Sequence, residues 1–475
     1  MVQELTKKAG FRDFPLIYWI SIMFEFFERG SYYGMMSILS IYLTDQLGFS
    51  KEGVGIIKGT IQPLLYILPI LSGAIADRMG YRKTLMVAFS LLGLGYFLTS
   101  QTTGYFAVFA SLVIMGLGAG TFKPVISGTI ARVTDERTNT LGFGIFYWSI
   151  NLGAFLFPMF LVPWLKSMHW SYVIIASAIC TGAMLIPTIF IYKEPVKDLS
   201  KEKEPLGKVI KDIFNKIWMV FKDWRFILFI FIYSWFWILY FQMFDSVLWY
   251  VKAFVDATQL DNFVNGITGL NWHFDVEHVT VINAFTIIML QILVSMLVKK
   301  AKALPTMIAG ISMATLGMGI LAISSNIWVF ITGIFIFSIG EMTAHPKFLS
   351  YLGIIAPPDK KATYLGFGFL YGVFGSFLGG IIGAFLYVRF IDNPMIAFIK
   401  TKLTEAGSQI HLANNVKIEK AIEAAQTIGL SKEEIAKYAY TSELWLLFSG
   451  IGVLCIVGLL LYQKFIGARK ASDLS

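Results

Sequence analysis

The chain is 475 residues long, 56% hydrophobic and 15% charged, with a formal net charge of +9 at pH 7. Soluble proteins carry about 25% charged residues, so the length does not signal ~3 soluble domains; apolar runs able to cross ~30 Å of hydrocarbon recur from end to end and mark a polytopic membrane protein. The runs are too long and too little alternating for β-barrel strands, and the basic residues form no clustered face of the kind nucleic acid requires.

Near the N-terminus, Lys7, Lys8 and Arg12 are followed by no apolar core with a small-residue cleavage site, so the first span is expected to direct insertion itself. The pattern predicts an all-α membrane protein with 12 transmembrane helices, starting near Phe14, Gly53, Thr84, Tyr105, Asn139, Trp170, Arg225, Val279, Leu304, Ile327, Thr363 and Leu444. Basic loops (Arg78, Arg82 and Lys83; Arg132 and Arg137; Lys299, Lys300 and Lys302; Lys360 and Lys361) alternate with loops nearly free of Lys and Arg. The positive-inside rule therefore predicts a multi-pass protein of the plasma (inner) membrane with both termini cytoplasmic. A linker rich in Lys, Glu and Pro, 194–223, separates an N-terminal six-helix bundle, 1–193, from a C-terminal one, 224–475. Two polar inserts face outward, Lys252 to His278 and Asp392 to Thr441 (392–441). The second contains LSKEEIAKYA, whose capping-box pattern predicts a small helical unit. Cys180 and Cys455 fall in apolar runs and read as small buried hydrophobes.

The first apolar run holds the stretch FEFFERGSYYG, Phe24 to Gly34. On a helix Glu25, Glu28 and Arg29 share one face. Ionised groups are costly in hydrocarbon, so the three are expected to face a cavity and pair with one another. Burial and a neighbouring guanidinium act in opposite directions on a carboxylate's proton affinity, so a small movement of Arg29 would change it. That makes the cluster a candidate proton-coupling site, the plainer alternative being a static buried salt bridge. Lys123 in span 4 and Glu341 in span 10, opposite in sign and one per half, are expected to meet across a central cavity as a latch. The stretch GLGAGTFK before Pro124 lacks the residue order of a phosphate loop, and its glycines read as helix-packing positions. His273, Asp275, Glu277 and His278 are of metal-ligating types, but a solvated loop is the favoured reading. No nucleophile–base set or metal-ligand spacing appears in the spans, so neither an enzyme nor a metal site is expected.

The loop after span 2, GAIADRMGYRK, puts Gly73 where helices approach and Asp77 and Arg78 at a helix end, where they are expected to help hold an inner gate. Twelve spans in two halves with this loop resemble the major facilitator superfamily, whose members bind substrate between the halves and work by rocking. More specifically, the chain resembles the proton-coupled oligopeptide transporter family (POT). The motifs are Glu25-x-x-Glu28-Arg29 with Ser31 to Gly34; Phe146-Tyr147-x-x-Ile150-Asn151-x-Gly153; Lys123-Pro124-x-x-Ser127; and Gly340-Glu341 followed by Pro346, with Tyr66 and Asn283 in matching places. The resemblance spans helices one to eleven and is weakest in the linker and outer loops. It implies that Arg29 and Lys123 receive a peptide's terminal carboxylate, that Glu341 with Asn151 and Asn283 receives its amine, and that Tyr32, Tyr33 and Tyr66 line the pocket. It also implies that Glu25, Glu28, Arg29 and Glu341 take part in proton coupling, protons being the coupling ion and no cofactor being needed.

The sequence departs from the family at several positions. Met36 stands where the family usually has Arg, and Phe241 where span 7 is expected to carry Glu, so a pair is lost together. Asp245, one turn beyond Phe241, is a replacement candidate but reads first as a helix-end acid near water. Gly368 replaces an expected Trp, His345 lies one turn from Glu341, and the linker shows no pair of extra helices. The expected function is a monomeric proton-coupled symporter of di- or tripeptides or similar small zwitterions. The alternatives are the same fold carrying a modified peptide, amino acid derivative or anion, and a nutrient sensor that binds without transport.

Overall fold

The computed structural model describes residues 10–195, 206–413 and 416–467; Lys7, Lys8 and the 196–205 part of the linker lie outside them. Among the described residues the only β feature is one isolated bridge, Asp256 with Asn326. Eleven helices among the described residues are long and apolar enough to cross a membrane: Lys51–Met79, Tyr81–Gln101, Tyr105–Val133, Asn139–Met168, Trp170–Phe190, Trp224–Phe254, His278–Val298, Ala303–Ile320, Ile327–Ile355, Thr363–Glu405 and Thr441–Ile466. The expected first span is the 26-residue helix Leu16–Ile41. It falls outside that count on composition, because every stretch of 18 residues in it contains Glu25, Glu28 and Arg29. Numbered in chain order these helices are spans 1 to 12, and the protein is a multi-pass membrane protein.

Glycine sets how closely several spans approach. A Cβ on Gly55 of span 2 would lie 2.4 Å from the Gly380 carbonyl oxygen of span 11, and one on Gly380 would lie 2.6 Å from the Gly55 oxygen. Two backbones from opposite halves touch there because neither residue carries a side chain. In span 4, a Cβ on Gly118 would lie 2.7 Å from the Leu92 nitrogen and one on Gly120 2.7 Å from Leu68 Cβ, so the GLGAG run packs against spans 3 and 2. At Gly73 a Cβ would only touch Pro124, at 3.5 Å, so the close approach expected there is looser.

Span 7 is broken. Its helix runs Trp224–Gln242, turns at 243–245, and resumes as Ser246–Phe254. The turn frees the Phe244 carbonyl from the helical ladder, and it accepts Ser40 Oγ at 2.7 Å and Lys58 Nζ at 2.5 Å from the other half.

The insert before span 12 begins later than the sequence suggested. The helix of span 11 continues to Glu405 through a π-turn at Val388–Asp392, and Asp392 is buried and bonded by Lys51 at 2.7 Å. A buried, paired acid gives the helix no reason to end there. Beyond it lie the helices Ile418–Gln426 and Lys432–Ala436, the latter opened by the Ser431–Glu434 capping box. The insert between spans 7 and 8 contains the helix Thr258–Thr268. Among its described residues the linker contains one helix, Leu206–Lys222.

Candidate functional site

Three groups of polar side chains lie within the bundle. The first is the span 1 cluster. Glu25, Glu28 and Arg29 are each no more than 4% exposed. Arg29 Nε donates to Glu28 and stands 3.6 Å from Glu25 Oε1. Glu25 Oε2, Glu28 Oε1 and Arg29 Nη2 are buried without a hydrogen-bond partner, so the cluster retains both donor and acceptor capacity. The Arg29 guanidinium lies 5.3 Å from the centre of the Tyr32 ring. Lys123 is half-buried within electrostatic reach of all three, with its Nζ 5.3 Å from the centre of the Tyr66 ring.

The second group surrounds a cavity of about 120 Å³ between the halves. Tyr33, Tyr147 and Asn151 line it from one half, and Tyr240, Asn283 and Glu341 from the other. Glu341 Oε2 accepts from Asn283 Nδ2 at 2.9 Å, and the same amide donates to Ser338 Oγ at 2.9 Å. Asn151 donates to the Tyr147 carbonyl at 2.9 Å. Four residues expected to contact substrate, Tyr33, Asn151, Asn283 and Glu341, therefore share one cavity. The other four, Arg29, Tyr32, Tyr66 and Lys123, lie outside its lining and form an adjacent group, joined to it by the Tyr32–Tyr33 ring contact at 5.4 Å.

Lys123 and Glu341 do not pair. Lys123 sits with the span 1 cluster, and Glu341 is held by Asn283. The third group is an ion pair that joins the halves, Lys58 of span 2 with Asp245 at the break in span 7, each no more than 2% exposed. The reading of Asp245 as a helix-end acid near water is thus corrected. The broken helix turns it inward, where its Oδ1 lies 2.7 Å from Ser40 Oγ and shares that one hydroxyl proton with the Phe244 carbonyl. Lys58 was missed, although an intramembrane lysine in GVGIIKGTIQ is a signal of the same kind as Glu25. Met36 and Phe241 are both buried, so the vacated family positions are filled by apolar packing.

On the same side of the membrane as Lys58, further cross-half pairs close the molecule: Lys51 with Asp392 at 2.7 Å, Lys252 with Asp45, and Lys166 with Asp275 at 2.6 Å and Glu277 at 2.5 Å. Burial opposes ionisation of Asp275, but Lys166 and the Val276 N–H outweigh it and hold its carboxyl below the usual range. At Glu277 burial prevails over Lys166 and pushes the carboxyl up. The solvated-loop reading is corrected for part of this segment: Glu277 and His278 are buried, one lysine, Lys166, takes both carboxylates, His273 pairs with Asp261, and His278 Nδ1 accepts from the Asp275 N–H at 2.9 Å. On the opposite face Arg132 pairs with Asp77 and Arg137 with Asp13, both within the N-terminal half, and Tyr81 donates to Asp77 at 3.0 Å. Arg78 closes the same helix, half-buried.

His345 lies in an aromatic box. The Trp237 ring is 5.4 Å and the Tyr371 ring 5.7 Å from it, Trp237 and Tyr371 are stacked at 4.5 Å, and Tyr233 Oη approaches Nδ1 at 3.5 Å. At Gly368 a Cβ would come within 2.3 Å of Leu352 Cδ1, so nothing larger fits without rearrangement.

A family model described as Major Facilitator Superfamily matches residues 19–380. The dipeptide and tripeptide permease B of Aeromonas hydrophila is 27% identical over 222 residues, 45% of this chain and 44% of that protein. The dipeptide and tripeptide permease A of Escherichia coli is 28% identical over 195 residues, 39% and 38% of the two chains. The matched region is thus under half the length of these curated relatives. A solved structure of the peptide transporter POT in complex with sulfate superposes with a TM-score of 0.72 at 18% identity, covering 97% of this chain and 96% of that one. A POT family transporter in complex with 5-aminolevulinic acid gives 0.66 at 21%, covering 98% and 99%. These likenesses establish the twelve-span fold, and the proteins concerned are transporters and permeases, not enzymes.

Proposed function

We propose that this chain, which belongs to the major facilitator superfamily, is a proton-coupled symporter that imports di- or tripeptides or similar small zwitterions by alternating access. The observation that carries this reading is a cavity lined by both halves, acidic at Glu341 and bordered through Tyr33 and Tyr32 by the basic pair Arg29 and Lys123. A zwitterion has ends that match such a pair of surroundings: its amine suits Glu341 and Asn283, its carboxylate Arg29 and Lys123. The names of the peptide permeases similar to this chain support the same cargo class.

Coupling follows from charge. Glu25, Glu28, Arg29 and Lys123 sum to zero when all are ionised. An arriving carboxylate adds a negative charge, and one proton on Glu25 or Glu28 restores neutrality. In a site where an uncompensated charge is costly, each of the two then favours binding of the other. With both termini in the cytoplasm of the inner membrane, the face latched by Lys58–Asp245 is the outer one, and rocking outward breaks that pair. The proton gradient supplies the work, ~2.3 kcal/mol per charge per 100 mV.

The test is uptake of a labelled dipeptide panel into proteoliposomes with an imposed pH gradient. Accumulation that collapses when the gradient is dissipated supports the proposal, and uptake indifferent to the gradient contradicts it. A second reading keeps the coupling and changes the cargo. It rests on the departures at Met36, Phe241, Gly368 and His345, which give the bundle other side chains than the peptide transporters it resembles and make a conjugated peptide the alternative cargo. Inhibition by such conjugates and not by plain dipeptides would select it.

A further inference from the structure

The linker helix Leu206–Lys222 carries two apolar stripes. One, with Ile213 and Val220, is buried against protein, since the helix packs on span 2 of one half and on spans 7 and 11 of the other. The other is Phe214, Trp218 and Phe221, exposed by 63%, 65% and 47%. At ~3.6 residues per turn these three fall within about 60° of arc, beside the buried stripe. Next to them round the helix come Lys211 and Lys222, both exposed. Lys222 Nζ lies 5.3 Å from the centre of the Trp218 ring. Only Asp223 separates the helix from span 7, whose first residue, Trp224, is also exposed, with Arg225 over its ring at 5.9 Å. Trp and Arg at the end of a span mark the level of the lipid headgroups.

An exposed aromatic stripe on a soluble surface would be a liability. At headgroup level, flanked by lysines, it fits a surface that is apolar below and anionic above. We propose that this helix lies in the plane of the membrane surface, on the face that carries both termini, with Phe214, Trp218 and Phe221 in the acyl–headgroup boundary and Lys211 and Lys222 on anionic phospholipid headgroups. The linker is then a further, lipid-anchored contact between the two halves, on the face opposite the Lys58–Asp245 latch. The anionic character of that leaflet rests on the cytoplasmic placement of the termini proposed above; the in-plane immersion does not, so the two can fail separately.

The test uses the full chain, with Cys180 and Cys455 replaced, reconstituted in liposomes of phosphatidylcholine with or without phosphatidylglycerol. Spin labels are placed one at a time by Phe214→Cys, Trp218→Cys and Asn215→Cys, and their accessibility to oxygen, which partitions into hydrocarbon, is compared with that to a water-soluble nickel chelate. Positions 214 and 218 are expected to favour oxygen several-fold over nickel, and position 215 the reverse. Phosphatidylglycerol is expected to deepen immersion at 214 and 218, and Lys211→Gln with Lys222→Gln to abolish that response. Nickel reaching 214 and 218 as readily as 215 would overturn the proposal, as would closure of both positions to both reagents. Immersion indifferent to phosphatidylglycerol would overturn its anionic-lipid part. Should Trp218→Cys fail to insert, Phe221→Cys carries the same expectation.

Discussion

Lys58 and Asp245 form an ion pair across the two halves of the bundle in a site almost closed to solvent, and the Phe244 carbonyl and Ser40 hydroxyl complete the environment of the ammonium group. Their positions are 187 residues apart in sequence. The break in span 7 brings them together, because an unbroken helix would keep the Phe244 carbonyl in its own ladder and carry Asp245 round with it.

Removing one partner leaves the other buried and uncompensated, which costs about 3–5 kcal/mol. Lys58→Met alone is therefore expected to lower thermal stability markedly and to open the outer face. Lys58→Met combined with Asp245→Leu should recover most of the stability while leaving the face easier to open. Thermal unfolding of the two single variants and the double variant, in one detergent, checks this; losses that simply add would contradict the pairing.

The Gly55–Gly380 contact gives a steric prediction. A methyl group on Gly380 would sit 2.6 Å from a backbone oxygen, which a flexible side chain cannot relieve. Gly380→Ala should force spans 2 and 11 apart at a cost of about 1–3 kcal/mol. A cysteine introduced at Lys51 should then react faster with an impermeant reagent added outside. An unchanged reaction rate would show that the two backbones are not in register.

The amine-binding role of Glu341 is read by acetylation. An acetylated dipeptide should compete with a free one at least tenfold more weakly, a difference of ~1.4 kcal/mol. In Glu341→Gln the gap between free and acetylated peptide should shrink, because the carboxylate that recognises the ammonium is gone. Retention of the full gap would place the amine elsewhere.

The neutrality argument also sets the pH dependence. In the native chain, initial uptake should rise as the external solution is acidified, since a proton compensates the cargo's carboxylate. Glu25→Gln fixes one site in its neutral form and should flatten that dependence. A profile of initial rates between pH 5 and pH 8 distinguishes the two, and parallel curves would remove Glu25 from the coupling.

The architecture was largely legible because hydrocarbon imposes one requirement on every span. Each predicted start lies within three residues of the helix observed. The capping box at Ser431 and Glu434 was legible for a similar reason, being a purely local pattern. What escaped was non-local. The break after Gln242 contains neither Gly nor Pro, so nothing in QMFDS announces it, and without the break Asp245 reads as an ordinary helix-end acid. Lys58 carried an intramembrane signal, but its partner lies in the other half. Lys123 and Glu341 are expected to meet because their signs are opposite; in the fold Asn283 occupies Glu341, and Lys123 lies over the Tyr66 ring beside the span 1 cluster. The amphipathic linker helix was hidden by its composition, since Lys, Glu and Pro dominated the reading of the whole segment.

The most direct measurement of the central claim is concentrative uptake of a labelled dipeptide under a fixed inward pH gradient, in the native chain and in Glu25→Gln, Lys123→Ala and Glu341→Gln. The native chain should accumulate peptide above the external concentration, and each variant should lose that accumulation while still inserting as a folded protein. Accumulation at the native level in all three variants would contradict the assignment of cargo and proton to this shared set of charges.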